Sequence, residues 1–227
     1  MVLAVIQART SSTRFPRKVL EDLHGQPMLA RQIERVLRAY SLDKVVVVTS
    51  TNIEDDEICE VATLARADFW RGPLADVQAR ILGACQQYGA DHVVRLTGDC
   101  PLADPDVIDD VVSLHLSEGA DYTSNVEPLC YPDGLDAEVI RVSALAEAAK
   151  IARESHEHVT TMLRHWPKWK RSSLKHEPSL AHLRWTVDYP ADLEKVRAIY
   201  ADLYDRKPDF GWLDILAWEA RNGNARR

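Results

Sequence analysis

Three short apolar runs in the first hundred residues predict buried β-strands. They are VLAVIQ at residues 2–7, KVVVVTS at 44–50 and HVVRLTG at 92–98. Each is a nearly continuous series of aliphatic residues, which is typical of parallel strands covered by helices on both faces of the sheet. We therefore expect a parallel sheet at the centre of the fold.

Four segments between and after these strands have the period of amphipathic helices. The segment 27–40 repeats apolar residues at i, i+3, i+4 and i+7 and begins with proline, a favoured first helical residue. The segment 54–67 has acids in its first turn and arginine in its last, which suits the helix dipole. The segments 74–89 and 104–119 both end at glycine, a common helix stop. This alternation predicts an α/β sandwich with right-handed crossovers.

The pattern becomes mixed after residue 120, where short strands and helices follow one another in no fixed order. No linker, repeat or low-complexity segment divides the chain, so we expect a single domain over residues 1–227. The predicted elements of this second half are strands at 121–125, 136–142, 169–175 and 183–188, and helices at 143–153, 155–165, 190–204 and 210–222.

Composition and charge narrow the range of partners and compartments. With 28 basic and 35 acidic residues the chain has a net charge of −7, which argues against a nucleic-acid binder. The four cysteines are scattered without a Cys-x-x-Cys pair, as in a cytosolic protein with reduced thiols. No basic segment precedes the first apolar run, and no run approaches the roughly 20 residues of a membrane span. We expect a cytoplasmic protein that binds neither nucleic acid nor membrane.

A cationic loop, QARTSSTRFPRK at residues 7–18, follows the first predicted strand. Ligands of open parallel sheets bind beyond the carboxyl ends of the strands, which is where this loop lies. Its arginines offer forks of N–H donors to phosphate oxygens and its lysine a point charge, while Ser11, Ser12 and Thr13 add hydroxyl groups. So many like charges favour a polyanionic ligand, although a solvated basic turn paired with surface carboxylates has the same composition.

The loop matches neither of the common phosphate-binding motifs. It lacks the G-x-x-x-x-G-K-[ST] pattern of P-loops and the glycine-rich dinucleotide fingerprint, and Pro16 interrupts it before any helix begins. We therefore expect side-chain cations, more than a helix N-terminus, to hold the phosphate groups.

Two aspartates follow predicted strands in the motifs RLTGDCPL and LRWTVDYPADL. They are Asp99 and Asp188. Carboxylates from two strand ends that face a phosphate-binding loop are natural ligands for one Mg²⁺ ion. Either aspartate alone is as typical of a helix cap or a turn, and the cationic loop nearby makes the metal the better interpretation.

Five motifs in this order resemble a known family. The family is the cytidylyltransferases of the spore coat polysaccharide biosynthesis protein F type, which is similar to the CMP-sugar-acid synthetases that activate 3-deoxy-manno-octulosonate and sialic acids. The resemblance covers about residues 2–200. The motifs that carry it are QARTSSTRFPRK, RLTGDCPL, YPDGLD, SHEHVT and LRWTVDYPADL.

The resemblance implies a single-domain, three-layer α/β/α fold of the nucleotide-diphospho-sugar transferase type. This Rossmann-like fold has a mostly parallel sheet and a mixed second half. The nucleotide would bind to residues 1–120 and the acceptor to residues 121–204, with a last helix at 210–222. A homodimer is also implied.

Site residues carry over motif by motif, again as implications of the resemblance. The implied catalytic residues are Arg14, Lys18, Asp99 and Asp188, of which Asp99 and Asp188 would bind Mg²⁺. The implied nucleotide-binding residues are Ala8, Arg9, Ser11, Ser12, Thr13, Arg14, Lys18, Arg71, Gly72, Asp76, Arg80, Thr97 and Gly98. The implied acceptor-binding residues are Tyr131, Asp133, Asp136, Glu138 and His158.

Two positions of the loop depart from the family pattern. The family usually has glycine where this chain has Ser11, and often where it has Arg17. Serine lacks the freedom of glycine to adopt positive φ, so a turn that needed it at Ser11 would take another path and bind triphosphate less well.

The expected reaction is transfer of CMP from CTP to a sugar acid or related anionic acceptor, with release of pyrophosphate, in surface polysaccharide or glycoconjugate biosynthesis. One alternative is a glycosyltransferase or a sugar-1-phosphate nucleotidylyltransferase on a similar sheet. Against the glycosyltransferase, a D-x-D pair is absent after the central strand, where the chain reads GDC. The other alternative is a non-catalytic nucleotide-binding module, which an impaired loop would favour.

Overall fold

A seven-stranded sheet organises the computed structural model of the protein, which describes residues 1–151 and 160–222. The strands in chain order are β1 (Val2–Gln7), β2 (Asp22–Leu23), β3 (Gln26–Pro27), β4 (Lys44–Ser50), β5 (Asp68–Gly72), β6 (His92–Thr97), β7 (Tyr122–Ser124), β8 (Glu138–Arg141) and β9 (Arg171–Ser173). Their order in the sheet is β5-β4-β1-β6-β8-β7-β9, while β2 and β3 form a separate hairpin.

The first half of the sheet is parallel and the second half is mixed. Strand β1 pairs in parallel with β4 and β6, and β4 pairs in parallel with β5. Strand β8 then runs antiparallel to both β6 and β7, and β9 is parallel to β7. The predicted α/β fold with a mostly parallel sheet and a mixed second half is confirmed.

Helices cover both faces of the sheet. They are α1 (Met28–Val36), α2 (Asp56–Leu64), α3 (Val77–Tyr88), α4 (Pro105–Glu118), α5 (Val142–Ile151), α6 (Thr161–His165), α7 (Pro190–Leu203) and α8 (Trp212–Asn222). Alternate residues of β1 point to opposite faces, so Leu3 and Val5 join a core with α3 and α5, whereas Ala4 and Ile6 join one with α1, α2, α4, α7 and α8. The result is three layers, and no described helix is long and apolar enough to cross a membrane.

One predicted strand is wrong. The segment 183–188 contains only a single bridge, between Arg184 and Asp133, and adds no strand to the sheet. Its apolar residues alternate as in a strand, with Trp185 and Val187 buried and Leu183 half-buried. Its backbone N–H groups bond to loops, however: Trp185 N donates to Asp133 O, and Val187 N donates to Asp99 O. The segment is therefore extended between two loops beyond the sheet, and Asp188 does not follow a strand.

Short elements account for the remaining differences. Strand β5 and the β2–β3 hairpin have no continuous apolar run, and pattern alone did not predict them. Helix α1 is shorter than the predicted segment 27–40, because a turn over the last residues replaces its final helical bonds. Of the predicted helix 155–165, the described part is α6, and residues 155–159 lie outside the described residues.

A hydrogen-bonded pair of histidines lies at the amino end of β6. Nδ1 of His92 is 2.9 Å from Nε2 of His115, and Nδ1 of His115 is 3.0 Å from the hydroxyl of Thr123. Burial, together with the charges of His92 and Arg141, lowers the pKa of His115 to about 4. The folded protein therefore holds His115 neutral at pH values where the unfolded chain would protonate it.

We predict that the protein loses stability in acid through this pair. The unfolded chain protonates His115 near pH 6.5, and the folded chain only near pH 4, so unfolding takes up a proton between these values. The free energy of unfolding should fall over this range by up to about 3 kcal/mol. Denaturant titrations at pH 7, 6 and 5 measure this free energy, which should depend less on pH in His115→Gln than in the wild type. In the control His182→Gln, which replaces an exposed histidine, the profile should be unchanged. Parallel profiles for His115→Gln and the wild type would contradict this account.

Candidate active site

The cationic loop forms one wall of a cavity of about 200 Å³ at the carboxyl ends of β1 and β6. The loop follows β1, and the residues after β6 close the opposite side. This is the position that the sequence predicted for a ligand. The lining residues are Gln7, Ala8, Arg9, Ser12, Thr13, Arg14, Lys18, Val19, Thr97, Gly98 and Asp99.

Gly98 lets the turn after β6 approach the end of β1. Its N–H donates to the carbonyl of Gln7 at 2.9 Å. A Cβ atom at this position would lie 3.0 Å from the same carbonyl oxygen and 3.2 Å from the Cβ of Ala8. A larger residue would push the two strand ends apart and displace Asp99, which comes next.

The loop has its left-handed residue at Arg17 and not at Ser11. Arg17 has a φ of 60°, and Ser11 is not among the residues with positive φ. The carbonyl of Thr10 accepts the N–H groups of both Ser12 and Arg17 at 2.9 Å, which closes the turn. Serine in place of glycine at position 11 therefore causes no left-handed backbone strain. At Arg17 the left-handed conformation costs about 1–2 kcal/mol.

Lys18 brings the two predicted metal ligands together. Its side chain is buried, and Nζ lies 3.0 Å from Oδ1 of Asp188 and 3.2 Å from Oδ2 of Asp99. Nζ also donates to the carbonyl of Val187 at 2.7 Å. One ammonium group thus bridges a carboxylate that follows β6 and one that precedes α7.

Two arginines complete the charge balance of this cluster. A guanidinium nitrogen of Arg14 lies 2.7 Å from Oδ1 of Asp188, and one of Arg184 lies 2.9 Å from Oδ2. Burial acts to raise the pKa of Asp99, but the charge of Lys18 and hydrogen bonds from Thr97 and Lys18 outweigh it and lower that pKa. Asp99 is therefore an anion at neutral pH, ready to bind a cation.

The predicted nucleoside-binding segment lies beside the cavity and does not line it. Arg71 braces the loop after β4, since it donates to the carbonyls of Ser50 and Asn52 and pairs with Asp56. Asp76 caps α3 by accepting the N–H of Ala79. The predicted nucleotide-binding residues outside the cavity are Ser11, Arg71, Gly72, Asp76 and Arg80, and their contact with a nucleotide stays a prediction.

Arg80 is a buried cation next to this segment. Gly72 makes room for it, because a Cβ at Gly72 would lie 3.1 Å from the Cγ of Arg80. One guanidinium nitrogen donates to the carbonyl of Pro73 at 3.0 Å, and the buried Nε has no hydrogen-bond partner among the described residues. Burial and the nearby charge of Arg9 lower the pKa of Arg80, so two cations face this side of the site.

The predicted acceptor-binding aspartates lie close to the Lys18 cluster. Asp133 accepts the hydroxyl of Thr186 at 3.3 Å and is 3.5 Å from Nε of Arg184. Burial, followed by the charge of Asp133, raises the pKa of Asp136 to about 6. Asp136 can therefore accept or release a proton near neutral pH.

Tyr131 and His158 are two further predicted acceptor-binding residues. The ring of Tyr131 is buried and packs against His176 and Trp212, with ring centroids 5.4 and 5.8 Å away. His158 lies outside the described residues. Both remain predicted acceptor-binding residues.

Glu138 is buried among groups that occupy both of its oxygens. The Tyr122 hydroxyl donates to Oε1 at 2.6 Å, Arg164 donates to the same atom, and Arg95 pairs with Oε2. Burial acts to raise the pKa of Glu138, but the two guanidinium charges overcome it and lower that pKa to about 2. This geometry favours a role in balancing the two arginines over direct contact with an acceptor.

Comparison with known proteins identifies the family and the fold. The family model described as "Cytidylyltransferase" matches residues 3–168, which include the loop, Asp99 and the predicted acceptor-binding residues. The chain belongs to the cytidylyltransferase family.

One similar protein matches nearly the whole chain, and another matches about three fifths of it. The spore coat polysaccharide biosynthesis protein SpsF of Bacillus subtilis is 29% identical over 99% of this chain and 96% of its own length. The 3-deoxy-manno-octulosonate cytidylyltransferase of Anaeromyxobacter dehalogenans is 33% identical over 62% of this chain and 57% of its own length.

Solved structures support the same assignment. A cytidylyltransferase from Leptospira borgpetersenii superposes with a TM-score of 0.94 at 28% identity, covering 98% of this chain and 95% of that one. The fold is also that of a CMP:2-keto-3-deoxy-manno-octonic acid synthetase complexed with CTP, with a TM-score of 0.65 at 18% identity over 88% and 98% of the two chains.

Sequence reasoning missed several residues around the site of this cytidylyltransferase. Gln7 lines the cavity and accepts a long hydrogen bond of 3.4 Å from Arg95. The sequence does mark Gln7, because it is the one polar residue at the end of an otherwise apolar run. Asp55, which binds the loop from the neighbouring β4 side, gave no signal in a run of four acids.

We predict that Lys18→Met destabilises the cytidylyltransferase at neutral pH. The substitution removes the ammonium group and leaves Asp99 and Asp188 facing each other, partly buried. The free energy of unfolding should fall by about 2 kcal/mol at pH 7, and the loss should diminish as the pH falls and Asp99 becomes protonated. Chemical denaturation measures both effects. Lys207→Met, which breaks an exposed pair with Asp214, should leave stability nearly unchanged. An equal effect of the two substitutions would argue against a special role of the Lys18 bridge.

Proposed function

We propose that this cytidylyltransferase transfers CMP from CTP to a sugar acid, with Mg²⁺ as cofactor and release of pyrophosphate, in the synthesis of a surface polysaccharide or glycoconjugate. The observation that carries the proposal is the Lys18 bridge between Asp99 and Asp188 beside the cavity of the cationic loop. Relatives named 3-deoxy-manno-octulosonate cytidylyltransferase and a similar fold solved with CTP support it.

The cationic loop would hold the triphosphate. Arg9 and Arg14 line the cavity, and no carboxylate within residues 1–151 and 160–222 forms an ion pair with Arg9. Within the described part of the chain, Arg9 is thus a cation without a counter-charge, which favours binding of an anion. Ser12 and Thr13 add hydroxyl and N–H donors on the same wall.

The residues present fit a magnesium ion. Asp99 and Asp188 both face one cation, the Lys18 ammonium group, and these two carboxylates would hold the ion. No group of three or more candidate ligands occurs in the described part of the chain, and Mg²⁺ typically takes one or two carboxylates and completes its shell with phosphate oxygens and water. When bound, the ion would neutralise phosphate charge and stabilise the charge that develops during transfer.

The chemistry needs alignment and charge neutralisation more than a covalent catalyst. An acceptor hydroxyl oxygen attacks the α-phosphorus of CTP, and the bond from that phosphorus to the pyrophosphate oxygen breaks. Lys18 and Arg14 lie where they can neutralise the departing pyrophosphate, since both line the cavity. Asp136, with its pKa of about 6, is the nearby carboxyl group best suited to accept the proton of the acceptor hydroxyl.

The cations around Glu138 support an acceptor that carries a carboxylate. Among the described residues, Arg95 and Arg164 share this one buried carboxylate, which leaves an excess positive charge in that part of the structure. No described residue forms a hydrogen bond with the buried Nε of Arg95, and Arg95 reaches Gln7, which lines the nucleotide cavity. A sugar-acid carboxylate next to CTP would find this charge within reach.

Two further parts of the proposal concern assembly and compartment. We propose a homodimer in the cytoplasm, on the family resemblance and on the composition of the chain. Light scattering of the purified protein measures the first, and fractionation of cells measures the second.

We predict that the protein binds CTP in preference to UTP, ATP and GTP when Mg²⁺ is present. Isothermal titration with each nucleotide measures the preference, and titration of CTP with EDTA in place of Mg²⁺ measures the need for the ion. Affinity for CTP should fall when the ion is removed and in the Asp99→Asn variant, since the first takes away the ion and the second takes away one of its two proposed ligands. Absence of binding to all four nucleotides would overturn the proposed function.

We predict that Arg14→Ala lowers turnover. Removal of a charged hydrogen-bond partner typically costs about 1.5–3 kcal/mol, which corresponds to a decrease of about one to two decades in kcat/KM. Release of pyrophosphate in a screen of sugar acids measures the rate. The exposed Arg206, away from the cavity, offers a matched control in Arg206→Ala, which should react at the wild-type rate. Equal rates for the two variants would remove Arg14 from the mechanism.

A further inference from the structure

Asp55 is a buried carboxylate that the proposed mechanism does not use. It lies directly before α2, in the loop after β4, and its side chain is only 2% exposed. Among the described residues, no lysine or arginine forms an ion pair with it. A buried charge without a counter-charge is costly unless hydrogen bonds satisfy it.

Hydrogen bonds from two residues satisfy this carboxylate. Oδ1 accepts the N–H of Thr10 at 2.8 Å and the Thr10 hydroxyl at 2.7 Å. Oδ2 accepts the N–H and the hydroxyl of Ser50, the last residue of β4. Burial acts to raise the pKa of Asp55, but the hydrogen bonds from Ser50 and Thr10 outweigh it and lower that pKa. Asp55 thus remains charged and fastens Thr10 to the end of the neighbouring strand.

Thr10 in turn fixes the rest of the cationic loop. Its carbonyl accepts the N–H groups of Ser12 and Arg17, the residue with the strained left-handed backbone. The cavity-lining residues Ser12, Thr13 and Arg14 lie between these two hydrogen bonds. The path of the phosphate-facing loop therefore depends on where Thr10 is held.

We propose that Asp55 is a positioning residue of the nucleotide-binding loop, whose carboxylate fixes Thr10 and so holds residues 8–18 in the conformation that receives CTP. Asp55 does not line the nucleotide cavity, so it acts through Thr10. This role rests on the proposed function, because its value to the enzyme is the affinity for nucleotide.

The hydrogen bonds from Thr10 and Ser50 to Asp55 form a clamp between the loop and the end of β4. Asp55→Asn breaks this clamp with almost no change in size. Each carboxylate oxygen accepts one backbone N–H, from Thr10 on one side and from Ser50 on the other. The hydroxyl groups of these residues can rotate to suit an amide, but a backbone N–H cannot. In either orientation of the asparagine, its NH₂ group faces one of the two N–H groups, and one side of the clamp is lost.

Asp109 offers a matched control at the other end of the sheet. This buried carboxylate in α4 accepts the N–H groups of Tyr40 and Ser41 on separate oxygens, and the Ser41 hydroxyl as well. Tyr40 and Ser41 precede β4, whereas the cavity lies beyond the carboxyl ends of the parallel strands. Asp109→Asn therefore imposes the same conflict on the same kind of clamp, far from the nucleotide.

Two measurements on these variants test the role of Asp55. Calorimetric titration with CTP and Mg²⁺ should show an affinity about tenfold lower for Asp55→Asn than for the wild type, and an affinity within about twofold for Asp109→Asn. Hydrogen exchange of the nucleotide-free proteins should show faster exchange of the Thr10 and Arg17 amides in Asp55→Asn alone. If Asp55→Asn does not fold, Thr10→Val removes one hydrogen bond of the clamp and should give the same pattern with smaller changes.

The possible results separate this role from the proposed function. Affinity and exchange in Asp55→Asn equal to the wild type would overturn the role of Asp55, as would equal losses of affinity in the two variants. If the wild type binds no nucleotide, the proposed function fails. In that case exchange at Thr10 and Arg17 still decides whether Asp55 holds the loop.

Discussion

The site depends on a buried ammonium group held between two carboxylates. Lys18 is accessible to solvent over only 7% of its surface, and its charge would be unfavourable there without Asp99 and Asp188. Since those carboxylates come from segments that meet only in the folded chain, their pairing with Lys18 fixes how the cationic loop, the turn after β6 and the start of α7 lie together. The geometry for binding a polyanion follows from satisfying one buried cation.

The parallel sheet explains why these segments meet. The carboxyl ends of β1 and β6 lie side by side, so the loop after β1 and the turn containing Asp99 must share one edge of the sheet. The segment 183–188 reaches the same edge without joining the sheet, because its backbone bonds to the loops at Asp99 and Asp133. A strand at that position would have placed its N–H groups in a ladder and Asp188 elsewhere. The irregular path is thus a condition for the cluster.

The parallel strands and the cationic loop could be predicted from the sequence because their signals are local. Strands β1, β4 and β6 begin where predicted and end within a residue of it, since each is a continuous apolar run. The cationic loop was evident from its composition. By contrast, the roles of Asp55 and Glu138 depend on partners distant in the chain, such as Thr10 for the first and Arg95 for the second. Spacing cannot show such partners, and for the same reason it did not show that the left-handed residue of the loop is Arg17.

The distribution of charge explains how an acidic protein can hold an anion. The net charge is −7, yet two carboxylates near the cavity are engaged by cations of the site itself: Asp188 by Arg14, Lys18 and Arg184, and Glu138 by Arg95 and Arg164. These pairs hold the cations in place before any ligand arrives, so less conformational entropy is lost on binding. The same pairing would limit affinity for the proposed nucleotide, because its phosphate groups would compete with Asp188 for Arg14 and Lys18. A divalent cation at the proposed magnesium site would relieve that competition by taking over the two carboxylates, and binding of metal and of nucleotide would then reinforce each other.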